Sequence, residues 1–233
     1  MGTFAYPGQV LLTGFPAGAF QTNCYVIAAD EGRECIIVDP GQDAVEPLRE
    51  LLAQHNLTPA AIVLTHGHFD HTWSVPKLLE EYDVPVYIHA EDQPMVADPL
   101  QWHGPGIQQI IAQSGEEAPV LDVVEKYVDG DRIEVDGVGL DVRHTPGHTL
   151  GSSILLLDHP QAKVMLSGDT LFNQGIGRTD LPGGDHETEM RSIVDVCLSY
   201  PDETVVLPGH GPQTQIGAER QSNPFILEYL RTR

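Results

Sequence analysis

The sequence predicts an α/β fold of two packed sheets covered by helices, with a chemical site along one edge. Three observations lead there. Strand-like and helix-like segments alternate through the first half, four more apolar runs crowd the second half, and several runs stop abruptly at histidine or aspartate. Such an ending is what a strand shows when it delivers its last residues to a site.

Residues 22–29, TNCYVIAA, and 34–39, ECIIVD, read as short strands joined through DEGR, a hairpin turn. After DPGQ, residues 43–55 carry Val45, Leu48, Leu51 and Leu52 at helical spacing. AAIVLT, 60–65, is a buried strand, and SVPKLLEEY, 74–82, opens a helix whose first turn tolerates Pro76. VPVYIHA, 84–90, supplies the third strand of this alternating half, and a helix opens after it at Glu91.

From 97 to 120 the pattern weakens around Pro99, Trp102, His103, Gly104, Pro105 and Gly106. This stretch reads as a loop with one helix near 107–114, either a lid over the site or a surface insertion. Four strands follow it: GVGLDVRHT at 137–145, SSILLLD at 152–158, KVMLSGD at 163–169 and TVVLPGH at 204–210. A helix at 187–199 separates the last pair, and a short helix over 218–230 closes a single domain spanning 1–233. Nucleotide folds are excluded, because no glycine fingerprint follows the first strand and PGGD, 182–185, lacks the lysine and hydroxyl residue of a P-loop.

Against 12 basic residues stand 34 acidic ones, a formal charge of −22. That field disfavours nucleic-acid backbones and anionic membrane surfaces as partners. The N-terminus has no basic leader before a continuous apolar segment, and no stretch approaches the roughly 20 apolar residues of a spanning helix. Cys24, Cys35 and Cys197 form neither a close metal pair nor a disulfide framework, which suits buried thiols in the cytoplasm. No pattern specifies an oligomeric state.

The chemistry concentrates in THGHFDH, 65–71. His66, His68, Asp70 and His71 offer imidazole nitrogens and an anionic oxygen, the donors of a compact divalent-metal cluster. Alternate residues of an extended segment send His66 and His68 toward one ion, while a turn redirects Asp70 and His71 to a neighbour. Three later strand ends complete the inventory: His148 in HTPGHTLGSS, Asp169 in LSGDTLF and His210 in LPGHG. The economical arrangement gives His66, His68 and His148 to one ion and Asp70, His71 and His210 to the other, with Asp169 shared. Zinc suits these donors and needs no redox partner; iron and manganese also fit. A water or hydroxide bridging two such ions is a strong nucleophile near neutral pH, so the chemistry expected is hydrolysis.

Taken in order, HxHxDH and the separate histidine, aspartate and histidine signatures resemble the metallo-beta-lactamase superfamily over almost the whole chain. That resemblance implies a four-layer αββα sandwich with a binuclear site at one edge, and the same seven ligands at metals 1 and 2. GDTLFNQGIGRTDLPGGD and PGHGPQTQIGAERQSNPF look most like compact glyoxalase II-like hydrolases. The implied substrate is a hydroxyacyl thioester of a low-molecular-weight thiol, such as S-D-lactoylglutathione, with Asp70 and Asp169 guiding the nucleophile or its proton. Larger members carry a helical C-terminal region that clamps glutathione; here only one substantial terminal helix follows the last motif, which leaves an open pocket and a different thiol carrier in play. A lactamase of the zinc-cysteine kind would place cysteine in the second site, and none of the three cysteines sits in a ligand motif.

Other readings stay open at this level: a mononuclear iron persulfide dioxygenase, a lactonase or phosphodiesterase, and a noncatalytic metal-binding module. His144 reads as a structural neighbour of the ligands, His89 as a hydrogen-bonding residue at the rim, and Arg178 with Asp180 as an ion pair bracing their loop. Trp102 and His103 sit in the rim loop expected over 97–120. His55, His103, His159 and His186 read as ordinary surface or loop residues, although His103 lies in the segment that would form a lid, and Thr65 and Thr149 read as candidates to orient ligands.

Overall fold

The computed structural model describes residues 10–103, 105–115, 117–159 and 162–232; part of the segment read for a leader, residues 1–9, lies outside them. One six-stranded sheet is ordered along the chain: β1 (Leu11–Ala17), β2 (Thr22–Ala28), β3 (Glu34–Val38), β4 (Thr58–Val63), β5 (Val86–His89) and β6 (Glu125–Tyr127). Its first three strands run antiparallel, and β3 to β6 are parallel neighbours. The second half supplies β7 (Arg132–Val135), β8 (Val138–His144), β9 (Ser153–His159), β10 (Ala162–Gly168), β11 (Leu171–Phe172), β12 (Gly175–Ile176), β13 (Val205–Pro208) and β14 (Thr214–Gln215). Six of these form a sheet in the order β14-β13-β10-β9-β8-β7, and β11 with β12 makes a separate small hairpin.

Strand alternation decides the layers. In β2, Tyr25 and Ile27 face the second sheet and pack with Leu140, Leu155 and Leu166, while Cys24, Val26 and Ala28 face outward. The outward face is covered by α1 (Val45–His55), with Leu48, Leu51 and Leu52 buried, together with α3 (Val75–Leu79), while α2 (Phe69–Thr72) packs its Phe69 with Trp73, Phe20 and Ile111. Across the molecule, Ile154, Leu156, Met165 and Val206 meet Met190, Ile193 and Cys197 of the 186–199 helix. The order is helix, sheet, sheet, helix, the αββα sandwich expected.

The segment from 97 to 120 is more regular than a loop. After α4 (Gln93–Ala97) it forms α5 (Pro99–Trp102) and α6 (Pro105–Ser114), each opening on proline, whose fixed φ and missing N–H suit a first helical position. The 186–199 helix begins as α7 (His186–Arg191), with the Asp185 side chain accepting the Thr188 N–H, widens into a π turn over Ser192–Val196 and tightens into a 3-10 turn ending at Ser199. The terminal helix expected over 218–230 is two helices, α8 (Ile216–Ser222) and α9 (Pro224–Thr232). Asn223 breaks them: it precedes proline, is extended at φ −67° and ψ 118°, and its amide donates to Glu219 and the Gly175 carbonyl.

Strand β1 escapes a sequence reading because Gly14 and Pro16 interrupt it. It lies at the sheet edge, where a proline costs no interior ladder bond, and it pairs with β2 from Leu11↔Ala28 to Ala17↔Thr22. None of the described helices is long and apolar enough to cross a membrane.

Candidate metal centre

The ends of β3, β4, β8, β10 and β13 converge on one edge of the sandwich, and each is followed by a functional side chain. Leaving β4, the chain bends at Thr65 and His66, is extended at His68, at φ −65° and ψ 141°, and then enters the single turn α2. That switch separates two pairs of donors. His66 and His68 precede the helical turn, whereas Asp70 and His71 leave from it and group with His210. His148 follows β8, Asp169 directly follows β10, and His210 follows β13.

Three overlapping clusters result, each with ligand atoms within 4.8 Å of one another: His66, His68 and His148; His66, His71 and Asp169; Asp70, His71 and His210. Asp169 joins the outer two. Its Oδ2 lies 3.6 Å from His148 Nε2 and 3.5 Å from His210 Nε2, while Oδ1 lies 3.3 Å from His71 Nε2. His210 Nε2 is also 3.2 Å from Asp70 Oδ2.

The side chains fit divalent ions on two grounds. First, the Nε2 atoms of His66, His68 and His148 and the Oδ1 of Asp169 are buried with no hydrogen-bond partner in the protein; a cation is the partner such lone pairs lack. Second, the other ring nitrogen is tied back in four of the five ligand imidazoles. The Nδ1–H donates to Thr65 Oγ1 in His66 (3.1 Å), to Asp39 Oδ2 in His71 (3.0 Å), to the Arg178 carbonyl in His148 (2.7 Å) and to the Phe20 carbonyl in His210 (3.1 Å). This sets the tautomer and leaves Nε2 free for metal.

Electrostatics divide the site the same way. Burial, and then the neighbouring histidines, push the pKa values of His66 and His68 well below the usual imidazole value, so both are neutral donors. Burial would also depress His71, but Asp169, Asp70 and Asp39 surround it and carry its pKa well above that value. Burial opposes ionisation of Asp169, yet His71, His148 and His210 hold its carboxyl below the ordinary carboxylate range. Without a metal, the histidines themselves neutralise these carboxylates.

Two acids that the sequence reading passed over organise the loops. Asp39, 1% exposed, accepts from the Thr65 N–H (2.8 Å), from Thr65 Oγ1 (2.7 Å) and from His71. Asp92 accepts from the Gly67 and Gly151 amides (2.8 and 2.6 Å) and from Thr149 Oγ1 (2.7 Å), so it pins the HxHxDH loop to the His148 loop. Asp39 carried a usable signal: like Asp169, it ends an apolar strand. Thr65 and Thr149 act through these acids. Close approach also needs glycine at 209, where a Cβ would collide with Asp169 and His71, and at 168, where φ is +49°.

The remaining candidates fall in different places. His103 is no ordinary loop residue: it is buried, its Nε2 accepts the Phe69 N–H at 3.0 Å, and its Nδ1–H donates to the Pro99 carbonyl at 2.6 Å, joining α5 to the metal loop. Trp102 instead lies beside Gly183, where a built Cβ would come 3.6 Å from its ring. Arg178 and Asp180 form a bidentate pair at 2.8 and 2.7 Å, both well exposed. His144 stacks on His89 at 4.0 Å between ring centroids and 13° between planes, and its Nε2 bonds the Leu150 carbonyl. His159 is buried, not a surface residue. All three cysteines are buried and unpaired with one another.

Above the donors opens a pocket of about 690 Å3, lined by His68, Asp70, His148, Asp169 and His210 at its base and largely apolar side chains around it. The segment 97–120 contributes His103, Gly106 and Ile110 to that lining.

Comparison with known proteins agrees with this architecture. A Mycobacterium leprae protein described as uncharacterised is 50% identical over 93% of this chain and 99% of its own. The hydroxyacylglutathione hydrolase GloC of Haemophilus influenzae is 36% identical over 91% of this chain and 95% of its own. Among solved structures, BLEG-1, a B3 metallo-beta-lactamase, superposes with a TM-score of 0.79 at 36% identity, covering 93% of this chain and 99% of that one. TTHA1623 in a di-iron-bound form gives 0.71 at 34% identity, covering 89% and 96%. Residues 17–210 match the family description Metallo-beta-lactamase superfamily. A αββα sandwich with a dinuclear donor set at its edge is a metal-dependent hydrolase architecture, and the chain belongs to the metallo-beta-lactamase superfamily.

Proposed function

We propose that this protein hydrolyses a hydroxyacyl thioester of a low-molecular-weight thiol in the cytoplasm, the whole chain acting as one domain. The observation that carries the proposal is the position of Asp169, whose two oxygens reach both donor groups at the floor of a substrate-sized pocket. The similarity to GloC supports the thioester class. His66, His68 and His148 would hold one ion and Asp70, His71 and His210 the other, with Asp169 shared. Zinc is our first assignment, with iron or manganese also compatible with these donors. When bound, two such ions lower the pKa of water toward 7 and polarise a carbonyl.

The chain's own groups supply the rest. Asp70 and Asp169 orient the attacking water and relay its proton toward the departing thiolate, remaining principally carboxylate ligands themselves. The Nδ1 hydrogen bonds hold each imidazole in place, so little reorganisation accompanies reaction. Expulsion of a thiolate needs little acid assistance, because a thiol pKa near 8.5 is close to operating pH.

A second reading, lactam hydrolysis, is favoured by the likeness to BLEG-1. Zinc-loaded protein is assayed with S-D-lactoylglutathione, a lactoyl thioester of a neutral thiol, and a penicillin. Free thiol and hydroxy acid in equal amounts, without oxygen consumption, is the expected result. Ring opening of the penicillin with intact thioesters establishes the second reading. Oxygen uptake by iron-loaded protein with a thiol persulfide, and no hydrolysis, replaces both with a dioxygenase.

A further inference from the structure

The pocket wall has a chemical character that the metal chemistry does not require. Around the donor floor stand Phe20, Phe69, Ile110, Phe172, Ile176 and Leu181. They come from separate parts of the chain: the β1–β2 turn, α2, α6, the β11–β12 hairpin and the segment beyond it. Phe20 packs edge-on against Phe69 at 5.1 Å, so this part of the wall is already assembled.

Cationic side chains are nearly absent from the described lining. Arg178 is the one arginine or lysine there, and both Nε and an Nη already donate to Asp180. His103 has no free polar atom for a ligand, since each ring nitrogen bonds the backbone. Over the whole chain, acidic residues outnumber basic ones 34 to 12. Any charge that bound ions add is concentrated at the floor, where the acyl carbon reacts. A tail extending up the wall gains from desolvating apolar surface and meets no spare counter-charge for a carboxylate or phosphate.

We propose that the pocket selects substrates whose group beyond the reacting carbonyl is uncharged and apolar, and that it discriminates against carboxylate- or phosphate-bearing thiol carriers such as glutathione or coenzyme A. This rests on the thioesterase reading for its substrate class, but the wall's preference is measurable without turnover. Exposed Ile110, on α6, is the specificity position most open to change, because it faces the pocket without filling the core.

The test uses two thioethers that cannot be hydrolysed, S-benzyl-N-acetylcysteamine and S-benzylglutathione, titrated calorimetrically into metal-loaded full-length protein. They share the benzyl group and differ in the charge of the carrier. The neutral ligand should bind about tenfold more tightly, the scale on which apolar pockets discriminate. Ile110→Lys should narrow that ratio by improving glutathione binding, and Leu181→Lys provides a second, independently placed cation. Equal or tighter binding of S-benzylglutathione to the unmodified protein overturns the proposal. So does failure of both ligands to bind, or a ratio that neither lysine moves. Lactoyl thioesters of the same two carriers are assayed alongside. Turnover of neither, with the binding preference intact, refutes the thioesterase reading alone; turnover that favours glutathione refutes the selectivity alone.

Discussion

Replacing Asp39 by asparagine should weaken the second metal group without unfolding the chain. The carboxylate accepts three hydrogen bonds, from the Thr65 N–H, Thr65 Oγ1 and His71 Nδ1. Asparagine keeps one acceptor oxygen and brings two donors. If the oxygen serves the Thr65 amide, the NH2 group faces His71, and the ring relieves the donor clash by moving its proton to Nε2. That is the atom 3.3 Å from Asp169 Oδ1, where a metal must bind. If the amide turns the other way, its NH2 meets the Thr65 N–H and leaves a buried donor unpaired. Loss of such an outer partner typically lowers metal affinity about 10- to 100-fold, or about 1.4–2.7 kcal/mol.

Chelator-competition titration resolves the two binding steps, and circular dichroism checks the fold. The weaker-binding step should shift while the His66/His68/His148 step changes less. Glu219→Gln is the control: Glu219 is equally buried and accepts from Thr214, the Gln174 amide and Asn223, away from the metal donors. The reasoning fails if Asp39→Asn binds both metals like the unmodified protein, or if Glu219→Gln shows the same affinity loss.

Three further outcomes follow from the geometry. Asp169→Ala should lower the hydrolytic rate on the order of 100-fold or more, through loss of the shared ligand, whereas exposed Glu117→Ala should not; equal rates at full metal loading count against the bridging role. Removal of metal by a chelator should lower Tm by about 5–10 °C relative to metal at 100-fold over its Kd, since that excess contributes about 2.7 kcal/mol; superimposable melting curves would mean that the donors hold no ion in the folded state. His89 provides the pH test. Burial, and then the stacked His144 ring, hold its pKa down at about 4, with Glu91, Asp129 and Asp131 partly opposing them. The unfolded chain therefore takes up a proton near pH 6.5 that the folded chain refuses, and stability falls as pH drops from there toward 4, by at most about 3 kcal/mol. His89→Gln should flatten that slope in urea titrations; an unchanged slope removes His89 as its source.

Much of this molecule was legible in the sequence because its signals are local. Runs such as Tyr25–Ala28 are apolar at every position, as a strand must be when it buries one face against a sheet and the other against helices. The seven candidate donors were equally visible as a group, because HxHxDH and the strand-terminal His148, Asp169 and His210 are dense in imidazoles and carboxylates, and the structure brings them within reach of one another. The turn that redirects Asp70 and His71 could be anticipated too, although the segment before it bends at Thr65 and His66 instead of running extended.

What only the tertiary structure decided depends on partners distant in sequence. Asp39 meets Thr65 and His71 across 26 and 32 residues, and Asp92 meets Gly151 across 59; no spacing rule links them, because the connection is made by neighbouring strands whose ends happen to coincide. The edge strand β1 was illegible because its glycine and proline read as a turn in isolation, and only pairing with β2 supplies the energy to hold it extended. Composition likewise left 97–120 as either a lid or a surface insertion, without saying which side chain faces the pocket. Helix phase and the two His103 hydrogen bonds turn Ile110 toward the pocket and Trp102 toward Gly183, a choice set by packing between segments that local sequence does not encode.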